Sequence, residues 1–424
     1  MVQRTLPYML SLVLCGSAIA ELQNVSVDGQ IRIRARYWSN QYVDNGRETR
    51  IPDFFLPGRA IGPFGAASLY SFDDKGNTRA RVEQSTKLRF TADFTQNVLA
   101  VIELDDTEVW GDGDFRSDYI TGVDSRATTG DDVEVLQSYV ETNESFGLPL
   151  RLRIGRQQLK LANGWLVGET QSTSELSFDG VRATYTGESF AIDGWWTKLA
   201  ERGATEEDGD IDFYALTASC TALEGHEFLL YWLYLRDAGS LNDTNFVAPI
   251  EWLEDLFSLD DYGPTNLHTF GFRATGEVSA FDYSLDLAYQ TGNADSAGIL
   301  FKPASFLYGD DGARFDAWAG DVELGYAFEN TAWTPRAYIG GAYFGGEDNR
   351  DLSFGEWLNP FDRPESSISF NRLFSSTRYT EVFDEGRNGS NFNQVRAGVD
   401  LHPTESVTAN FEVAHFRANE AFDY

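Results

Sequence analysis

Apolar and charged side chains take strict turns along much of this chain. From Leu150 the order is Leu150, Arg151, Leu152, Arg153, Ile154, and from Ile31 it is Ile31, Arg32, Ile33, Arg34, Ala35, Arg36, Tyr37. Strand side chains point to opposite faces with a period of two, so each stretch has one greasy and one cationic face. Phe281, Tyr283, Leu285 and Leu287 alternate in the same way with Asp282, Ser284 and Asp286. Val395, Ala397 and Val399 alternate with Gln394, Arg396 and Asp400. The pattern predicts about fifteen strands, over 28–38, 82–95, 97–108, 132–144, 149–161, 176–187, 189–200, 210–222, 226–237, 266–279, 281–292, 315–329, 333–345, 391–402 and 405–417. Each is close to the roughly 9–11 residues that a tilted membrane strand requires.

The spacing between these segments alternates as well. Long gaps at 39–81, 109–131, 238–265 and 346–390, a medium one at 162–175 and loops at 201–209 and 293–314 are interleaved with short ones at Gln96, near Gly147, and at 187–188, 223–225, Ala280, 330–332 and 402–404. Short turns on one side and longer loops on the other are the habit of an outer-membrane barrel, and a soluble sandwich has no reason to keep that order. The predicted fold class is all-β, a transmembrane antiparallel β-barrel of about 15–18 strands. An arginine facing lipid at the midplane of such a barrel costs roughly 2–4 kcal/mol, so the arginine faces are expected to point inward. The stretch Phe228 to Leu235 is apolar on both faces and is expected to pack on an inserted loop. Fifteen is an odd count, whereas single-chain bacterial barrels have even numbers, so the expectation is either that the count is off or that the last strands are missing.

Composition adds compartment and partner. The first twenty residues hold Arg4, an apolar run from Leu6 to Cys15 and small Ala18 and Ala20 at cleavage spacing. They read as a secretory signal peptide, 1–20, which leaves 21–424 as a single barrel domain. No later run approaches the roughly 20 consecutive apolar residues of a spanning helix. A mean hydropathy of -0.34 fits a barrel, in which about half of the strand residues face water. Tryptophan and tyrosine near strand ends, such as Trp38, Trp110, Trp196, Trp232, Tyr234 and Trp333, suit interfacial girdles, although ordinary sheet aromatics would look the same.

A formal net charge of -33 excludes nucleic acid as a partner. The acids crowd the presumed loops, while arginine, whose planar fork grips carboxylates at two points, concentrates in the strands. After signal removal Cys220 is the sole cysteine, so there is no disulfide framework, and four scattered histidines show no metal-ligand spacing. The acidic runs Asp73 to Asn77, Gly111 to Phe115 and Glu206 to Asp212 lack the full alternating ligand set of a calcium loop. No GxSxG or HExxH occurs, and the chain is not expected to be an enzyme or to hold a metal or other cofactor.

Several segments resemble the alginate export family of outer-membrane porins: LDDTEVWGD at Leu104 to Asp112, LRLRIGRQQLKL at Leu150 to Leu161, WLVG at Trp165 to Gly168, SFDGVRATY at Ser177 to Tyr185 and FNRLFSSTRY at Phe370 to Tyr379. The resemblance implies a monomeric barrel of about eighteen strands in the bacterial outer membrane, passing an anionic uronic-acid polysaccharide through an arginine-rich pore. By analogy Arg156, Asp179 and Arg182, with Arg151 and Arg153, lie near the constriction. By that comparison the family's closing strands, roughly three, and its late periplasmic plug loop are expected to be absent from this sequence.

The leading expectation is passive passage of an alginate-like polysaccharide or its oligomers along Arg32, Arg34, Arg36, Arg89, Arg151, Arg153, Arg156, Asp179, Arg182 and Arg396. The plainer possibility is that each arginine is neutralised by a neighbouring acid, with Glu103, Asp105, Glu134, Glu141, Asp179 and Asp193 placed to do so. The alternatives are a general small-solute porin and a secreted soluble carbohydrate-binding β protein. The expected partners are the polysaccharide, outer-membrane lipids and periplasmic export machinery.

Overall fold

The computed structural model describes residues 21–41, 77–94, 97–110, 133–168, 176–201, 210–238, 264–293, 313–328, 331–346, 366–375, 379 and 390–419. The expected signal peptide and the acidic runs at 73–76 and 111–115 lie outside these residues. Among the described residues sixteen strands make one sheet: β1 (Leu22–Gln41), β2 (Asn77–Phe94), β3 (Val98–Val109), β4 (Glu134–Thr142), β5 (Leu150–Gln157), β6 (Phe178–Thr186), β7 (Phe190–Ala200), β8 (Ile211–Cys220), β9 (His226–Asp237), β10 (Thr265–Val278), β11 (Phe281–Asn293), β12 (Ala313–Ala327), β13 (Arg336–Phe344), β14 (Ser366–Ile368), β15 (Phe392–Thr404) and β16 (Val407–Ala418). All but β14 follow one another as antiparallel neighbours in chain order, and β14 lies parallel to the start of β12. Each of the fifteen predicted strands has its counterpart in this path. The tight turns and the long connections fall on opposite sides of the sheet, because every second connection is short.

The faces divide as the alternation requires. Ile31, Ile33, Ile102, Val140, Leu216, Leu230, Trp318, Ile339, Val395 and Val413 are all exposed on one face. On the other, Glu83, Glu103, Glu141, Asp193, Asp286, Asp321 and Arg396 are buried. The first face is a lipid-facing surface by composition, and the second is called inward below.

Two departures from the expected elements share a cause. The fifth strand was expected to run to Leu161 but leaves the ladder at Gln157, and β14 has no strand-like length in sequence. Past these points the chain turns onto the inward face. Leu159, Leu161, Trp165, Leu166 and Val167 from one connection and Phe370, Leu373 and Tyr379 from another join a single apolar cluster. Its wall side comprises Phe178, Trp195, Phe213, Leu229, Tyr231, Leu233, Leu267, Phe315, Phe344 and Phe392. The doubly apolar β9 is thereby explained, since Leu229 and Leu233 meet inserted chain rather than water. Burial of each such side chain stabilises by roughly 1.5–3 kcal/mol.

Substituting Ile339→Arg on the exposed face should lower the unfolding free energy in lipid vesicles by roughly 2–4 kcal/mol. Thr107→Arg, on the inward face of β3, should change it by less than about 1 kcal/mol. Urea titrations followed by tryptophan fluorescence read both, and the reverse ranking would exchange the two faces.

Candidate functional site on the inward face

Arginines on inward positions meet carboxylates on the neighbouring strand, because register places them side by side. Arg34 of β1 faces Glu83 of β2 and bonds it at 2.8 Å, and Arg36 and Arg81 approach the same carboxylate. Arg89 lies 3.8 Å from Glu103 and donates to the Tyr139 hydroxyl at 3.0 Å. Arg153 bonds Glu141 at 2.7 Å, with its guanidinium 4.1 Å from the centre of the Tyr139 ring. Arg182 bonds Asp193 at 2.9 Å and lies over Trp195. Arg153 and Arg182 are themselves paired across β5 and β6. Gly155, two residues above Arg153, has φ +125°, and a Cβ there would come within 2.9 Å of the Tyr139 Cα.

Further round the sheet the pairs merge into a network. Arg273 pairs with Asp286, and Arg336 reaches Asp282, Glu323 at 3.0 Å and Asp400 at 3.2 Å. Arg396 holds both oxygens of Asp321 at 2.7 and 2.9 Å and reaches Glu323 at 2.9 Å. Tyr379, from an inserted connection, donates to Asp321 at 2.6 Å. Arg372 of the same connection is fully buried between the rings of Phe344 and Tyr379, at 5.0 and 5.2 Å. Burial pushes its guanidinium down to about 10, against the opposing pull of Tyr379, so it still carries its charge at neutral pH.

Three of the expected site residues are placed otherwise. Arg156 and Asp179 bond each other at 3.4 Å, but both side chains are half exposed on the outward face, in step with Ile154 and Val181. Arg156 is an odd number of residues from both Arg151 and Arg153, and period two sends it to the opposite side. Arg396 is on the inward side but only 2% exposed, clamped by Asp321 under the inserted chain rather than facing open space. Arg32 and Arg151 lie on the inward face and make no ion pair among the described residues, while Arg34, Arg36, Arg89, Arg153 and Arg182 are all matched to acids. Of the acids expected as partners, Glu103, Glu141 and Asp193 serve inward arginines, whereas Asp105 accepts from Ser85 and Thr107.

Arg81, Arg273, Arg336 and Arg372 were not among the expected residues. The first three carry a usable signal, because they share parity with inward acids on their own or the adjacent strand. Arg372 carries none, since its neighbours Leu373 and Phe374 belong to a connection with no alternation.

The family profile described as alginate export matches residues 25–424. No curated protein matches the chain. Among solved structures it is similar to Salmonella typhi OmpF, at 8% identity, with 94% of this chain and 91% of that one covered and a TM-score of 0.45. It is also similar to Pseudomonas putida OprB, at 12% identity, 92% and 89% coverage and a TM-score of 0.45, and to Pseudomonas aeruginosa OccD3, at 11% identity, 81% and 84% coverage and a TM-score of 0.35.

The buried network predicts an asymmetry between acids. Asp321→Asn leaves Arg396 buried without its two-point partner and should cost roughly 3–5 kcal/mol. Asp316→Asn, which removes only the charge of an exposed acceptor of the Tyr289 hydroxyl, should cost less than about 1 kcal/mol. Thermal unfolding in detergent separates the two.

Proposed function

The chain belongs to the alginate export family, and from that premise we propose that it carries a polymer of uronic acids, or its oligomers, passively through the space bounded by the inward face. Family membership places it in the bacterial outer membrane as a β-barrel channel. The polyanionic cargo is our reading of the inward arginines. A guanidinium has five N–H donors, and one carboxylate occupies two of them at most. An arginine already paired to Glu141 or Asp193 therefore keeps donors for a passing carboxylate, while its resident acid keeps the net attraction low. Weak binding at several stations is what conduction requires, since a site that holds its ion tightly does not release it.

The observation that carries this reading is the surplus of cation in the ladder: Arg32 and Arg151 are unmatched among the described residues, while their neighbours are neutralised. The same reading takes residues 1–20 as an export leader and 21–424 as one barrel acting as a monomer. Outer-membrane lipids surround it and periplasmic export machinery delivers or receives the polymer. It assigns the chain transport rather than catalysis, and no cofactor.

Planar-bilayer recordings test the cargo. Oligouronates should block the open channel in a concentration-dependent way, while neutral oligosaccharides of the same length should not. Removing Arg32 and Arg151 together by substitution to Gln should weaken that block at least about tenfold, as the loss of one or two charge-assisted hydrogen bonds implies. Strong cation selectivity without oligouronate block would refute the proposed cargo and leave a small-solute channel.

A further inference from the structure

The two connections that turn inward do not pack separately. Gly168 donates its N–H to the Phe374 carbonyl at 3.1 Å, and Phe374 donates to the Leu166 carbonyl at 2.9 Å. Val167 and Phe374 thus form a parallel bridge between segments about two hundred residues apart. Phe374 also sits edge-on against Phe178 of β6 and against Phe213 of β8, both at 5.1 Å between ring centres.

The wall is shaped to receive this pair. Ala215, Ala288, Ala317, Ala319 and Ala342 lie buried in the cluster at inward positions of β8, β11, β12 and β13, where a membrane barrel ordinarily presents polar side chains to water. The fully buried Gln290 of β11 acts as a clasp. Its amide nitrogen donates to the Asn371 carbonyl and its amide oxygen accepts from the Asn371 N–H, both at 2.7 Å, while Thr269 fixes it from β10 at 3.1 Å. This two-point grip copies a strand pairing with a side chain. Among the described residues no member of the apolar cluster comes from β1 to β5.

We infer that residues 158–168 and 369–375 dock as one fixed partition, clasped to the wall by Gln290, which fills the β6 to β15 side toward the long connections and at that level confines the conducting path to the charged surface of β1 to β5. The inference rests on the chain being a channel and is independent of what the channel carries. The partition narrows the passage and leaves its remaining wall to the Glu83, Glu103 and Glu141 ion pairs. Gln290 is a positioning residue in this scheme, since its contacts are to the partition and not to the solute.

The test uses the full barrel in planar bilayers with potassium chloride as the only electrolyte, so the outcome does not depend on uronate binding. Gln290→Ala should free the second segment and raise single-channel conductance roughly twofold or make it flicker, because the open cross-section grows. A second variant joins Val167→Cys to Phe374→Cys in a Cys220→Ser background; ladder neighbours lie roughly 5 Å apart, within disulfide range. Oxidation should link them in the native barrel and leave conductance at the wild-type value. The inference is overturned by a Gln290→Ala barrel of normal heat-modifiable migration and unchanged conductance. It is equally overturned if the disulfide fails to form, or if its formation closes the channel. Retained oligouronate block in the Gln290→Ala channel would show that cargo recognition stands apart from the partition.

Discussion

The constraint from which the rest follows is that a strand crossing a bilayer cannot present a bare charge to lipid. Each guanidinium on the wrong face would cost roughly 2–4 kcal/mol, which a domain with a net stability of roughly 5–15 kcal/mol tolerates only once or twice. Alternation with period two resolves this by sending the charges of an arginine-rich strand such as β1 to one side. Ile31, Ile33 and Tyr37 outside and Arg32, Arg34 and Arg36 inside are two consequences of one spacing. The antiparallel register then sets the arginines of one strand against the acids of the next, as at Arg34 and Glu83 or Arg273 and Asp286. Ion pairing across the strands is therefore a product of lipid exclusion on the opposite face.

The inward side is divided in kind. Over β1 to β6 it is lined by arginine and carboxylate, with Tyr139 and, from the adjacent β7, Trp195 as flat supports beneath the guanidinium groups. Over β6 to β15 it turns apolar toward the long connections, because inserted chain replaces water there, and stays charged toward the short turns around Arg336. The two regimes meet at Asp321, which takes Arg396 from the wall and Tyr379 from an inserted connection. A buried pair of this kind contributes little net stability after desolvation, but loss of one member leaves the other stranded. Its effect is to fix where the inserted chain sits.

How much of this was legible in the letters depends on the range of the interaction. Strand identity is local, so the alternation of Leu150 to Ile154 or Phe281 to Leu287 marks each strand without reference to any other. The order of neighbours was equally legible, because short turns force adjacent strands together. Orientation of a side chain follows from parity alone, and Arg156 and Asp179 show that motif resemblance is a poorer guide to face than counting by two. The inserted connections were legible only in outline. Phe228 to Leu235 carries surplus grease on its inward side, which signals a covering element, but nothing near it names Val167 or Phe374. Arg372 is the limiting case, since its charge is held by two rings brought from different parts of the chain.

The chain's acidity and its inward arginines are compatible once the acids are sorted by position. Many belong to connections, while several inside the sheet are committed to arginine: Glu83 to three of them, Asp286 to Arg273, and Asp321 and Glu323 to Arg396. Inward charge is thus close to balanced locally, and small imbalances set the sign of the field that a solute meets. At an effective dielectric near 20, two unit charges 4 Å apart interact by about 4 kcal/mol, so a single unmatched guanidinium in a narrow space matters more than distant loop charge screened within roughly 8 Å of saline. Net charge over the whole chain is for this reason a poor guide to what passes through it, and Arg32 and Arg151 are the residues whose local surroundings decide the matter.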